Sequence, residues 1–112
     1  MEEEIIKETQ SQMLGAYGEL HTLSEDEQRV FDDAVKCIKS CKLKMAKYSA
    51  YIPLLEGHAG VRVKVQIVAG RNFCFEIITT SKETPKLFMK VFEGLPCNPQ
   101  FEVEDLRAEC DC

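Results

Sequence analysis

Residues 61–78 read VRVKVQIVAGRNFCFEII, and this stretch decides the fold class. Apolar residues occupy alternate positions on both sides of a turn: Val61, Val63, Val65 and Ile67 before it, and Phe73, Phe75 and Ile77 after it. Such a period of two is typical of strands that bury one face. The residues between the two runs, Ala69-Gly70-Arg71-Asn72, form a turn signal. The stretch therefore predicts an antiparallel hairpin.

Two more strands follow the hairpin. Leu87, Met89 and Val91 alternate with other side chains, and Phe101 and Val103 carry a last strand; turn-forming residues at 81–85 and 94–99 separate the segments. A short first strand over residues 17–23 is expected to pair as well. Pro53 and the glycines at 57 and 60 suggest an irregular edge or a bulge over residues 51–60 rather than regular pairing.

Upstream of the strands the apolar period changes to that of a helix. Ser24 and Glu27 form a capping-box sequence, which predicts a helix start. Apolar side chains then recur at steps of three and four residues: Val30, Phe31, Ala34, Val35, Ile38, Cys41 and Met45. We predict one long helix from about residue 25 to the mid-forties.

These elements predict an α+β fold, with one long helix packed on a four- to five-stranded antiparallel sheet. The residues expected to face the helix are Val61, Val63, Val65, Phe73, Phe75, Ile77, Met89, Val91 and Phe101. Cys74 alternates with its neighbours and is expected to point away from the helix. Zinc ligands must converge on one point, so this argues against a metal site built from Cys37, Cys41 and Cys74.

Length and charge limit the function classes. The chain has 112 residues and a net charge of −5, which suit one domain and argue against nucleic acid or an anionic membrane as a partner. We predict a flexible acidic tail over residues 1–12 and a single domain over residues 13–112. No signal peptide or apolar membrane segment is visible in the sequence. The expected location is the cytoplasm, or outside the cell if the chain is a processed form.

The chain carries six cysteines, an even number that in a secreted protein invites pairing. Their placement, with Cys74 inside a strand and Cys110 and Cys112 at the end, favours free thiols. A redox or metal function of the terminal Cys-x-Cys is a distant alternative. No nucleophile, phosphate-binding or dinucleotide-binding motif accompanies His21 or His58, so we expect neither an enzyme nor a cofactor.

Three segments together resemble the cystatin family. Residues 66–70, Gln-Ile-Val-Ala-Gly, are similar to the family's QxVxG hairpin loop. Residues 14–16, Leu-Gly-Ala, resemble the segment that precedes the helix in secreted cystatins. Residues 89–96, Met-Lys-Val-Phe-Glu-Gly-Leu-Pro, look like the stefin strand that ends in the second hairpin loop. The order and spacing match over about residues 13–110, closest to the stefin, or intracellular, type.

The resemblance implies a reversible, tight-binding, non-covalent inhibitor of papain-type, cathepsin-like cysteine proteases. It implies that an N-terminal arm and two hairpin loops plug the active-site cleft of the protease. The residues implied to bind are Leu14 and Gly15 in the arm, Gln66, Ile67, Val68, Ala69 and Gly70 in the first loop, and Leu95, Pro96 and Cys97 in the second. It also implies a monomer that can exchange its first strand and helix to form a domain-swapped dimer.

Some positions depart from the family's patterns. The chain has no Trp, and Cys97 follows Pro96 where secreted cystatins usually place that residue. Phe88 lies where a half-cystine of secreted cystatins is expected. The asparagine through which some members inhibit asparaginyl endopeptidases is absent near Lys39. A cystatin-fold binding module that does not inhibit proteases therefore stays open as the alternative function.

Overall fold

A five-stranded antiparallel sheet in simple sequence order dominates residues 16–108, the part of the chain that the computed structural model describes. The strands are β1 (His21–Thr22), β2 (Gly60–Val68), β3 (Gly70–Ile78), β4 (Lys86–Glu93) and β5 (Phe101–Arg107). The helices are α1 (Glu25–Ser40), α2 (Lys42–Lys47) and α3 (Ile52–Glu56). The predicted tail over residues 1–12 lies outside the described residues.

Helix α1 begins where the capping box predicts. The Glu27 backbone N–H donates to the Ser24 Oγ at 3.2 Å, and the Ser24 N–H donates to the Glu27 carboxylate at 2.9 Å. These bonds satisfy two amides that the first turn of a helix otherwise leaves without partners. The apolar stripe of α1 then packs on the sheet, where the ring of Phe31 meets that of Phe75 edge-on at 5.3 Å.

The helix is shorter than predicted. It ends at Ser40, because Cys41 has an extended backbone (φ −110°, ψ 116°), and the separate helix α2 follows. The predicted place of Met45 in the buried stripe is wrong, since 40% of its surface is exposed; Leu43 is 83% exposed. Beyond Ile38 the stripe contains only Cys41 and Met45, so extending α1 would bury little more apolar surface.

The prediction of an irregular edge over residues 51–60 is also wrong, because α3 occupies most of this segment. Pro53 lies in the first turn of α3, where the missing N–H costs no helical hydrogen bond. Leu55 and the preceding Tyr48 are buried in the core. The described sheet does contain a register irregularity, but it lies in the β4–β5 pairing between Lys90 and Val91.

The core lies between α1 and one face of the sheet. Of the residues predicted to face the helix, those that are buried in the core are Val63, Phe73, Phe75, Ile77, Met89 and Val91; those that are half-buried against it are Val61, Val65 and Phe101. Leu87, Val103 and Leu106 complete the sheet side. The α+β architecture with one open antiparallel sheet and a helix is therefore confirmed. The predicted first strand is shorter than expected, as β1 plus an isolated bridge at Tyr17.

The thiols do not all stay free. Cys74 is disulfide-bonded, whereas Cys37, Cys41 and Cys97 are free cysteines. The expectation of six free thiols is wrong at Cys74 because a side chain on the outer face of a sheet stands clear of the helix and is accessible to a second segment. The Cys-x-Cys at Cys110 and Cys112 lies outside the described residues.

Candidate functional site

The first hairpin turns within one residue. Strands β2 and β3 pair up to Val68 and Gly70, so that Ala69 alone forms the exposed tip. Below the tip, the Asn72 side-chain amide donates to the Gln66 Oε1 at 2.7 Å and ties the two strands together. Ile67, 38% exposed, presents apolar surface beside the tip. The sequence therefore predicted the position of this hairpin correctly.

Position 70 requires glycine for two reasons, its backbone conformation and the close approach of its neighbours. Its φ of +119° is rarely adopted by residues with a side chain. A Cβ at this position would lie 2.5 Å from the Glu93 carbonyl oxygen and 3.0 Å from the Gly94 Cα. The backbone of the first hairpin thus touches the end of β4, and this contact places the hairpin directly beside the following loop.

That second loop, residues 94–100, is closed by its own backbone. The Gly94 N–H donates to the Gln100 carbonyl at 2.8 Å across its base, and the Asn98 N–H donates to the Leu95 carbonyl at 2.9 Å within it. Leu95 is 43% exposed, and Pro96 and Cys97 are exposed as well. The internal bonds give the loop a defined shape with an apolar tip.

The N-terminal segment reaches the same end of the sheet. Tyr17 forms an antiparallel bridge with Gln66, and the Gly18 N–H donates to the Val65 carbonyl at 3.0 Å. Ala16, the first described residue, is therefore adjacent to the first hairpin. The predicted arm residues Leu14 and Gly15 lie outside the described residues. We call the end of the sheet formed by residues 16–17, 66–70 and 94–100 the loop edge.

An open groove of about 790 Å³ runs between the two loops. The apolar residues that line it come from both loops and the start of β5: Ile67, Val68, Leu95, Pro96, Pro99 and Phe101. Arg29, Arg71 and Glu93 line its charged part. The loop edge thus offers apolar surface that a partner can remove from water.

The charged part of the groove is an ion network that sequence reasoning missed. Arg71 lies 2.9 Å from Asp26 and 2.5 Å from Glu93, and Arg29 lies 2.7 Å from Asp26 and 3.1 Å from Glu93. Hydrogen bonds from Arg29 and then Arg71 lower the pKa of Asp26 below its usual value. The sequence does show opposite charges beside the two turn glycines, with Arg71 after Gly70 and Glu93 before Gly94. The members of the network on α1 are about 45–65 residues away in sequence, so local patterns do not reveal them.

Neither histidine lines the groove between the loops. The His21 Nε2 contacts the Glu27 carboxylate at 2.9 Å, and the His58 Nδ1 lies 2.8 Å from the Leu55 carbonyl oxygen. Across residues 16–108 no cluster of three or more His, Cys, Asp or Glu side chains is arranged to hold a metal ion. Among the helices described, none has the length and apolar character needed to cross a membrane.

The loop edge combines two ordered loops, an adjoining N-terminal segment, apolar tips and an ionic base. No protein-family model matches the chain, and no curated protein or solved structure matches it either.

Proposed function

We propose that the chain is a reversible, non-covalent inhibitor of papain-type cysteine proteases, and that the loop edge plugs the active-site cleft. The observation that carries this proposal is the convergence of three segments on one end of the sheet. The cystatin resemblance implies binding by the same two loops and by Leu14 and Gly15, which directly precede the described Ala16. The meeting of the three segments at one edge is what a plug for a groove-shaped cleft requires.

The physical properties of the loop edge support tight binding. The tip residues Ile67, Ala69 and Leu95 are exposed before any partner arrives, so docking removes apolar surface from water. The loops are held by a strand ladder and by their own hydrogen bonds. Little ordering entropy then opposes association, which favours high affinity from a small contact area.

In this mechanism each segment has its own part of the cleft. The first hairpin occupies the centre, the second loop occupies one side, and the arm with Leu14 and Gly15 occupies the other side. The protein forms no covalent bond with the protease, since apolar contact and hydrogen bonding hold the complex. The inhibitory form is the monomer, because a strand exchange that opens the hairpin at Ala69 would remove its tip.

The disulfide at Cys74 is relevant to the cellular compartment in which the protein acts. Disulfides persist in oxidising environments and are rare in the cytosol of most organisms. The disulfide therefore favours the second of the two expected locations, outside the cell, where the chain would act on secreted or vesicular proteases.

Residual papain activity in the presence of two leucine variants tests the proposal. Leu95→Asp introduces a charge at the loop edge, and Leu43→Asp introduces the same charge at an exposed leucine on α2. We expect Leu95→Asp to weaken inhibition by roughly 30–150-fold, corresponding to about 2–3 kcal/mol of lost apolar contact and charge desolvation. Leu43→Asp should inhibit like the wild type.

Equal inhibition by both leucine variants would show that the second loop is not part of the binding surface. A wild-type chain that binds papain without reducing its activity would favour the alternative, a binding module that does not inhibit proteases. Mass spectrometry of the denatured complex should recover both chains intact and unlinked, because the proposed complex is non-covalent.

A further inference from the structure

The ion network at the loop edge joins the residue that follows the first loop to the residue that precedes the second. Arg71 is the first residue after Gly70, and Glu93 is the last residue before Gly94. Their side chains meet at 2.5 Å. Any change in the distance between the loops must therefore stretch this ion pair or move the strands that carry it.

The third and fourth members of the network fix this pair to the helix. Asp26 and Arg29 lie in the first turns of α1, whose start is held by the capping box. Each arginine contacts both carboxylates, at 2.9 and 2.5 Å for Arg71 and at 2.7 and 3.1 Å for Arg29. A closed arrangement of four groups resists displacement more than a single bridge, because moving one member strains two contacts.

We infer that Glu93 and Arg71 are positioning residues: together with Asp26 and Arg29, they set the spacing of the two loops and thereby the affinity of the loop edge for its protease. This inference rests on the proposed function for its consequence, but the effect on loop geometry is independent of any protease. Glu93 touches both arginines and adjoins the second loop, so it is the member whose loss should loosen that loop most.

The network also makes the loop spacing sensitive to salt. The side chains of Asp26 and Arg29 are about half exposed, with values of 48% and 47%, so dissolved ions screen their attraction. The apolar contacts of the same edge do not weaken in salt. A salt-dependent dissociation rate therefore distinguishes positioning by the network from a contribution of apolar packing alone.

The test compares Glu93→Gln with a matched control, Glu104→Gln. Glu104 lies on β5 and pairs with Lys90 at 3.6 Å, so the control removes one negative charge from an ion pair outside the network. Two quantities are measured for wild type and both variants. The first is the amide hydrogen-exchange rate of Gly94 and Asn98 in the free protein, and the second is the rate at which papain is released.

We expect Glu93→Gln to speed both amide exchange in the second loop and papain release by about five- to tenfold, in keeping with the loss of two partly screened ion pairs. In the wild type, raising the NaCl concentration from about 20 mM to about 500 mM should accelerate release. This salt effect should be smaller in Glu93→Gln, which keeps only the two ion pairs of Asp26 within the network, and should be unchanged in Glu104→Gln.

Several outcomes would overturn the inference. Unchanged loop exchange in folded Glu93→Gln, or a salt dependence as strong in this variant as in the wild type, would show that the network does not position the loop. Should the variant not fold, wild-type exchange at Gly94 and Asn98 across the same salt range decides the question, since salt-independent exchange contradicts the inference. A wild-type chain that fails to inhibit papain refutes the proposed function and leaves the exchange test intact.

Discussion

Replacement of Gly70 by alanine tests the geometry of the loop edge most sharply. The new Cβ would lie 2.5 Å from the Glu93 carbonyl oxygen, 3.0 Å from the Gly94 Cα and 3.0 Å from the Phe92 ring. Two of these neighbours are backbone atoms, which cannot rotate away. The alanine must also hold a φ near +119°. Both effects push the first hairpin and the second loop apart.

The expected loss of stability can be estimated from these two effects. A backbone held in a region that L-residues rarely adopt costs roughly 1–3 kcal/mol. Overpacking of a well-filled site adds about 1–3 kcal/mol. We therefore expect Gly70→Ala to lower the free energy of unfolding by about 2–6 kcal/mol, a large part of the roughly 5–15 kcal/mol typical of a domain. It should also weaken papain inhibition.

Urea denaturation followed by circular dichroism measures the change, with Gly60→Ala as the control. Gly60 is the first residue of β2, and a Cβ there would have no neighbour within 4 Å. The control should therefore alter the free energy of unfolding by less than about 1 kcal/mol. A Gly70→Ala protein as stable as the control, with undiminished inhibition, would refute the close contact between the two loops.

Three further predictions concern other parts of the molecule. Ser24→Ala should lower the free energy of unfolding by about 1 kcal/mol in urea denaturation, since the capping bond to the Glu27 amide is lost; an unchanged value would contradict this role. The hydrogen bond to Glu27 raises the pKa of His21, so its contribution to stability is full below the ordinary value of 6.5 and disappears as the pH rises through the raised value. The melting temperature of the wild type should therefore fall as the pH rises from about 6.5 through the raised pKa of His21, and this fall should shrink in His21→Gln. Alkylation of the exposed Cys97 with a bulky maleimide, followed by removal of the excess reagent, should weaken papain inhibition, whereas Cys97→Ser should inhibit normally after the same treatment, which among the described residues reaches only the half-buried free thiols of Cys37 and Cys41; inhibition that survives alkylation of Cys97 would place Cys97 outside the contact.

Much of the fold was predictable because local periodicity and burial agree. The alternation from Val61 to Ile77 predicts the β2–β3 hairpin, since the alternating apolar side chains, except the exposed Ile67, pack in or against the core. The capping box at Ser24 likewise predicts the helix start, because its hydrogen bonds are local. Elements whose hydrogen bonds and apolar contacts come from residues nearby in sequence can be predicted from a single sequence.

The features that escaped prediction depend on contacts between distant residues. The break at Cys41 depends on how little apolar surface the next turn would bury, which is set by the packed sheet. The disulfide at Cys74 requires a second cysteine to approach the outer face. The network of Arg71 and Glu93 requires α1 to begin beside the loops. The apolar periodicity of a strand or helix carries no information about contacts between residues that are far apart in sequence.

The measurement that tests the central claim most directly is a titration of papain with the wild-type chain at sub-micromolar concentration, followed by residual activity. The proposed plug predicts that activity falls linearly and reaches nearly zero at about one inhibitor molecule per protease molecule, as expected for tight binding of a preformed surface. Full papain activity in the presence of a several-fold molar excess of the folded chain would contradict the claim that the loop edge blocks the cleft.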